Sequence, residues 1–432
     1  MRHCIIKIRL VICDVLKLTK DSLHLSHGTI HCLRLIVDMR YRRFGRTEIQ
    51  MPLITCGGMR YQHKWDDIPW SDVPAEGQKN IENIVEKAHS AGIRHIETAR
   101  GYGSSEMQLG PILAGYDRDD WILQTKVAPT PYPKTFLENF DKSMNYLKVD
   151  TVDLLGLHGI NNEEVLDHAL RKGGCMEAAR RLQKEGRVKH IGFSTHGNTK
   201  VILDAVNSGE FDYVNLHWYF VNELNWPAIE AATKLDMGVF IISPNDKGGK
   251  LYAPSAKLLE YCEPLAPMIF NDLFCWNRPE VHTLSMGVSR PEDFDTHLEA
   301  LTMLDAAADL IAPIEERMRA HIRDITGIDW KAGWDKGFPE WESIPHGINT
   351  REIVRLWIFA KTFDMIEFGK MRYNLLGNAG HWFPGHKVQA FDEREMIDLH
   401  GDSPFATRIP EILRDAHALL NAGQVKRQSE GG

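Results

Sequence analysis

The chain has 432 residues, 43% of them hydrophobic and 25% charged, a composition that supports a packed core and excludes a wholly disordered chain. A formal net charge of -8 argues against a general nucleic-acid binder, because neutralising phosphates takes clustered Lys and Arg. The seven cysteines, Cys4, Cys13, Cys32, Cys56, Cys175, Cys262 and Cys275, lack CxxC spacing, so they imply neither a disulfide framework nor a zinc site, and a reducing cytoplasm suits them.

No run reaches the roughly 18 apolar residues of a membrane span. Leu10-Val11-Ile12-Cys13 is apolar, but Asp14 and Lys17 interrupt it and no small-residue cleavage site follows. It does not read as a signal peptide. Residues 1–38 are read as an N-terminal extension outside the fold, and Met39 opens the first ordered segment.

From there, apolar β-rich runs alternate with amphipathic stretches. The pattern predicts strands near 51–57, 95–99, 121–127, 151–158, 190–195, 213–219, 238–244 and 282–288. Between them it predicts helices near 79–91, 134–147, 174–185, 198–207, 226–235 and 292–304. Eight such units in about 250 residues match an α/β (β/α)8 TIM barrel with right-handed crossovers. A doubly wound open sheet is the alternative, but it wants a glycine-rich phosphate turn after its first strand, and Thr55-Cys56-Gly57-Gly58-Met59-Arg60 is not one. Residues 305–427 break the alternation and read as an additional helical region, with segments near 305–325, 350–377 and 408–420. The end, 428–432, reads as a disordered tail.

Barrels present their chemistry at the C-terminal ends of the strands. Read in order, that rim offers Glu97 and Tyr102, then Lys126, then His158. It continues with Ser194, Thr195 and His196, then Asn215 and His217, then the loop from Ser243 to Gly249, and finally Ser289 and Arg290. A carboxylate, a phenol, a lysine and an imidazole on neighbouring strands form a proton-transfer set. Glu97 would hold Lys126 charged, and Lys126 would lower the pKa of Tyr102 so that the phenol can protonate a developing alkoxide. His158 would orient a carbonyl. No side chain donates a hydride, so a cofactor must. Taken singly, each of these residues is more often a salt-bridge, snorkelling or packing residue.

Two other patterns compete. Gly101-Tyr102-Gly103 mimics the start of a dinucleotide fingerprint, but Glu106 stands at its third glycine. Glu97, Lys126, His158, His196 and His217 also suggest a metal-dependent barrel hydrolase. That class wants an HxH pair on the first strand and an Asp closing the eighth; the chain has neither, and no metal is expected.

Residues 39–304 resemble the aldo/keto reductases. The resemblance rests on Arg43-Phe44-Gly45-Arg46-Thr47, on Thr98-Ala99-x-x-Tyr102-Gly103-x-Ser105-Glu106, on Thr125-Lys126-Val127, on Asp153-x-x-x-x-His158, on Gly186-x-Val188-x-x-Ile191-Gly192-x-Ser194 and on Ser243-Pro244. It implies a barrel enzyme that reduces aldehydes or ketones with NADPH. It implies the catalytic set Tyr102, Lys126 and His158, with Glu97 standing where the family has Asp. It also implies cofactor contacts at Gly58, Met59, Ser194, Thr195, Asn215, Ser243, Pro244 and Lys247, and at Ser289, Arg290, Asp293 and His297 around the adenosine 2′-phosphate. A catalytically weak NADPH-binding regulatory protein on the same barrel is the second expectation. Protein partners are unknown, and neither nucleic acid nor membrane is expected as a partner.

The C-terminal region resembles a subgroup with a ferredoxin-like tail, in Ile344-Pro345-His346-Gly347-Ile348-Asn349, Lys370-Met371-Arg372-Tyr373 and Ser403-Pro404. Ile344 and Ser403 stand where Cys-Pro would begin, and no cysteine follows Cys275. No iron–sulfur cluster is therefore expected. Trp330, Trp334, Phe338 and Trp341 would fill the space, in a degenerate module that packs on the barrel or covers its mouth. A purely stabilising helical element is the plainer alternative. Trp218, Tyr219 and Trp226 suggest an aromatic wall near the sixth barrel strand.

Overall fold

A computed structural model describes residues 38–331 and 333–422. The expected extension at 1–38 and the tail at 428–432 lie almost wholly outside the described residues. An antiparallel hairpin comes first, β1 (Tyr41–Arg43) against β2 (Gln50–Pro52). Eight parallel strands then close a barrel: β3 (Ile54–Gly57), β4 (His95–Glu97), β5 (Ile122–Val127), β6 (Val152–His158), β7 (Val188–Ser194), β8 (Tyr213–Leu216), β9 (Gly238–Ile241) and β10 (Thr283–Met286). Every strand expected from the sequence is in it, and β10 closes on β3 through Leu284 opposite Ile54.

The first helices are α1 (Ala75–Ser90), α2 (Ser105–Leu113), α3 (Pro133–Leu147), α4 (Glu163–Leu170) and α5 (Cys175–Lys184). They are followed by α6 (Thr199–Asn207), α7 (Trp226–Lys234), α8 (Ala256–Cys262), α9 (Pro267–Trp276) and α10 (Asp295–Thr302). The sequence reading missed α4, α8 and α9. In α9 the reason is burial: Pro267 and Ile269 through Trp276 are all buried, so it has no polar face to give a period.

Alternation along the strands sends one set of side chains into the barrel. Its floor is a plug of Phe44, Met51, Leu154, Tyr213 and Phe240. Gly238 admits Phe44, since a Cβ there would stand 2.6 Å from the ring. Above the plug, Thr55 hydrogen-bonds His95 at 2.7 Å and Thr283 at 2.8 Å. Glu97 and Ser285 follow His95 and Thr283 by two residues, and Lys126 of β5 and Asn215 of β8 join them, all buried.

The tail holds α11 (Ala307–Thr326), α12 (Thr350–Phe363), α13 (Ile366–Tyr373), α14 (Glu393–Leu399) and α15 (Ile409–Leu420). The single helix expected over 350–377 breaks at Asp364, which takes a left-handed φ of 51° and ends α12. The tail is fastened to the loop after β8. Arg355 donates to the Val221 carbonyl at 2.8 Å, Trp330 donates to Glu223 at 2.8 Å, and Arg319 pairs with Glu223 at 3.0 Å. Trp330 stacks on Trp334 with centroids 5.1 Å apart, and Phe338 packs edge-on to Trp334 at 5.8 Å. Trp341 stands apart from that stack and faces a cavity instead.

Candidate active site

The loop after β4 is built to present Tyr102. Glu106, fully buried, accepts from Arg100 and from Thr125 Oγ1, both at 2.5 Å, and so ties the loop to β5. Gly103 turns with φ 51°, and a Cβ there would collide with the Lys64 carbonyl at 1.9 Å. The glutamate and glycines that mimic a nucleotide fingerprint are thus used to shape the loop.

At the ends of β4, β5 and β6, Lys126 forms an ion pair with Glu97 and donates to the Thr98 carbonyl at 2.8 Å. Its Nζ stands 4.7 Å from the centre of the Tyr102 ring. Tyr102 donates to Glu97 Oε1 at 3.4 Å, and its ring meets His158 edge-on at 5.6 Å. Ser285 of β10 donates to Glu97 Oε2 at 3.1 Å. Gly156 makes room for the lysine stem, because a Cβ there would lie 2.8 Å from Lys126 Cγ.

Burial sets the protonation here. It raises the Tyr102 phenol above its ordinary value, the reverse of the lowering expected from Lys126. It also pushes Lys126 well below the ordinary lysine value, so Glu97 does not by itself hold the ammonium as firmly as expected. His158 is lowered to about 3, first by burial and then by Lys126 and His381, and is neutral at pH 7. The phenol therefore rests protonated, and the imidazole has one N–H and one lone pair.

The expected cofactor residues divide. Asn215 is fully buried, and neither its Oδ1 nor its Nδ2 has a partner among the described residues. Ser194 Oγ accepts from the Gly159 amide at 3.2 Å, while Thr195 Oγ1 is spent on the Ile160 carbonyl at 2.6 Å. Gly58 is buried beneath the start of α2, its carbonyl held by Ser105 Oγ at 2.9 Å, and Met59 is half-buried beside it. Ser243 adopts φ 56° and accepts from the Lys247 amide at 3.0 Å; Pro244 is buried. Arg290 pairs with Asp293 at 3.0 Å, and Asp293 also accepts from the Ser289 amide at 2.8 Å. His297 is not with them at the surface: it is 1% exposed, clamped between Asp272 at 2.5 Å and Asn245 at 3.1 Å.

Beside this cluster lies a cavity of about 790 Å³ between the barrel mouth and the tail. Its walls include Asn161, His196, His217 and Lys247 from the barrel, and Arg372 and His381 from the tail. Glu97, Tyr102, Lys126 and His158 are not in those walls. His196 Nδ1 lies 2.9 Å from His217 Nε2 and 3.1 Å from Lys247 Nζ. Burial and the nearby Lys247 hold both imidazoles well below their ordinary values. The tail closes on the barrel where His381 Nδ1 meets Asn161 Nδ2 at 3.0 Å. The five residues that suggested a hydrolase are not brought together, since Glu97 is committed to Lys126 while His196 and His217 pair with each other. Of the expected aromatic wall, Tyr219 lines the cavity, but Trp218 is core, stacked on Phe274 at 4.8 Å and packed against Trp226 at 5.0 Å.

Sequence reasoning missed Ser285, Asn161, Arg372 and His381. Alternation along the last strand would have found Ser285, two residues after Thr283. The others carry no local signal.

A closed (β/α)8 barrel with its polar cluster at the C-terminal strand ends defines the class, the arrangement in which barrel enzymes do their chemistry. The model of the Aldo/keto reductase family matches residues 53–238. An aldo-keto reductase of Mycobacterium sp. (strain KMS) is 34% identical over 133 residues, which are 29% of this chain and 46% of that protein. The chain thus spans about half the length of the first curated relatives it matches. Among solved structures, an aldo-keto reductase from Bacillus halodurans in its holo form superposes with a TM-score of 0.55 at 18% identity, covering 65% of this chain and 96% of that one. An aldo-keto reductase from Klebsiella pneumoniae in complex with NADPH gives 0.51 at 16% identity, covering 64% and 95%. These two likenesses establish the fold. The family match runs from the first barrel strand to the start of the seventh.

Proposed function

We propose that this protein is an NADPH-dependent oxidoreductase that reduces aldehydes or ketones to alcohols. The observation that carries the reading is the juxtaposition of Glu97, Lys126, Tyr102 and His158 at the ends of three consecutive strands. NADPH, when bound, supplies the hydride that reduces the carbonyl carbon. Tyr102, protonated at rest, gives its proton to the carbonyl oxygen. Lys126 beside the ring stabilises the phenolate as it forms, and Glu97 balances the lysine. Neutral His158 donates an N–H to the carbonyl and aims it. The unpaired Asn215 amide fits a carboxamide, one donor to one acceptor in each direction. Ser194 would stand beside it. Gly58, Met59 and the Ser243–Lys247 loop would flank the rest of the cofactor, with Ser289, Arg290 and Asp293 at its adenosine end.

We take residues 39–304 as the barrel unit, and 305–427 as a degenerate ferredoxin-like module that covers its mouth. The protein would work in the cytoplasm; no described helix is long and apolar enough to cross a membrane.

One observation favours a weaker activity. Tyr102 already donates to Glu97, which draws its proton away from a substrate. A protein tuned that way would bind NADPH and turn over slowly, as a regulator. The test is NADPH consumption with a panel of aldehydes, ketones and quinones, with Tyr102→Phe run alongside. Turnover should vanish in the variant while the fluorescence of bound cofactor persists. Equal turnover in both would sink the mechanism; cofactor binding without turnover in the native protein would favour the regulator.

A further inference from the structure

The charges around the cavity are mostly matched. Arg351 pairs with Glu340 at 3.1 Å, Arg355 with Glu352, and Lys200 with Glu163 at 2.8 Å. Glu164 and Glu342 stand exposed at the rim. Arg372 is different. It is 5% exposed and lines the cavity, yet its guanidinium makes no hydrogen bond or ion pair among the described residues. The Phe383 ring lies 3.9 Å from its Cζ. Stacking covers one face of a guanidinium and leaves its N–H edge pointing sideways, the edge that binds a carboxylate through two parallel hydrogen bonds. Glu352 and Asp246 act on Arg372 without forming an ion pair or hydrogen bond with it, and an anion arriving at a buried guanidinium edge gains more than it would at the surface.

The surroundings accept negative charge. His196 and His217 share the wall as neutral imidazoles, and Lys247 is directed toward them. The cavity lies beside the chemistry, and His381 in its wall acts electrostatically on His158. His381 in its wall comes within 3.9 Å of where a Cβ of Gly159 would stand, and Gly159 follows His158 directly.

We infer that the substrate is a carbonyl compound bearing a carboxylate, which Arg372 anchors while the carbonyl reaches Tyr102 and His158. The inference rests on the reductase reading above and makes the tail a specificity element of the barrel. Arg372 is then a binding residue contributed from about 200 residues beyond the catalytic cluster.

The test compares 4-carboxybenzaldehyde with 4-formylbenzamide, which has nearly the same shape without the charge, using the full chain and NADPH. The carboxylate should be favoured in kcat/KM by about ten- to a hundred-fold, the worth of a charge-assisted hydrogen bond. Arg372→Met should collapse that ratio through KM, and Arg372→Lys should restore part of it. A ratio near one in the native protein, or one that Arg372→Met leaves intact, overturns the inference. If neither aldehyde is reduced, the reductase reading fails first, and calorimetric titration with benzoate and benzamide decides the site. Benzoate binding that depends on Arg372 supports it; no preference for benzoate over benzamide overturns it.

Discussion

The two sites that meet at the barrel mouth handle charge in opposite ways. At the ends of β4 to β6, Glu97 and Lys126 are buried face to face, and each answers the other's charge. In the cavity, Arg372 is also buried, but its guanidinium stacks on an aromatic ring, and the acids that act on it, Glu352 and Asp246, form no ion pair with it. The first arrangement is complete in itself and suits a reaction that must begin from the same state each time. The second is complete only with a ligand. Pre-paired charge holds geometry, and unpaired charge selects what comes in.

The widest test of that contrast is acid. His95 and His158 are lowered to about 3 and His282 to about 4, in each case chiefly by burial. Their folded values lie below the ordinary histidine value of about 6.5, so the stability they contribute is present above about 6.5 and is lost as pH falls toward the folded values. These three imidazoles alone give a slope of about 4 kcal/mol per pH unit between roughly pH 6 and 4, and His196 and His217, also held low by burial, act in the same direction. Urea midpoints at pH 7, 5.5 and 4.5 will show it. Flat midpoints would mean these imidazoles are more hydrated than their burial implies.

Next in size is Lys126→Met. It strands Glu97 in the interior and should cost about 3–5 kcal/mol in denaturant unfolding. The same change at Arg372 strands no acid and should cost under about 1 kcal/mol. Equal losses at the two positions would erase the distinction between them. The smallest expected effect is at the cover. His381→Ala removes its hydrogen bond with Asn161 and should cost about 1 kcal/mol, while raising KM several-fold with kcat largely kept. An unchanged KM would leave the tail a structural element only.

The barrel was legible because its strands are short, apolar and regularly spaced, and because Lys126 and His158 sit at strand ends with Tyr102 in the loop after β4. Their protonation was not, since the burial that dominates Tyr102 and Lys126 is a property of the closed barrel and not of neighbours in sequence. His297 illustrates the same limit. Its place near Ser289 and Arg290 suggested a surface role, but α9 brings Asp272 against it and draws it inward. The cavity was illegible because its walls come from segments some 200 residues apart, joined by contacts such as Asn161 with His381.

The closure of the barrel through β3 and β10 also has a meaning in time. Ile54 and Leu284 are neighbours in the finished protein but 284 − 54 = 230 residues apart along the chain. At roughly 5–20 residues per second, synthesis spends about 10–50 s between them. Throughout that interval β3 lacks the β10 partner that closes the barrel, and for most of it Phe44 also lacks the Gly238 backbone it packs against. The barrel can therefore close only after β10 has been made, late in synthesis.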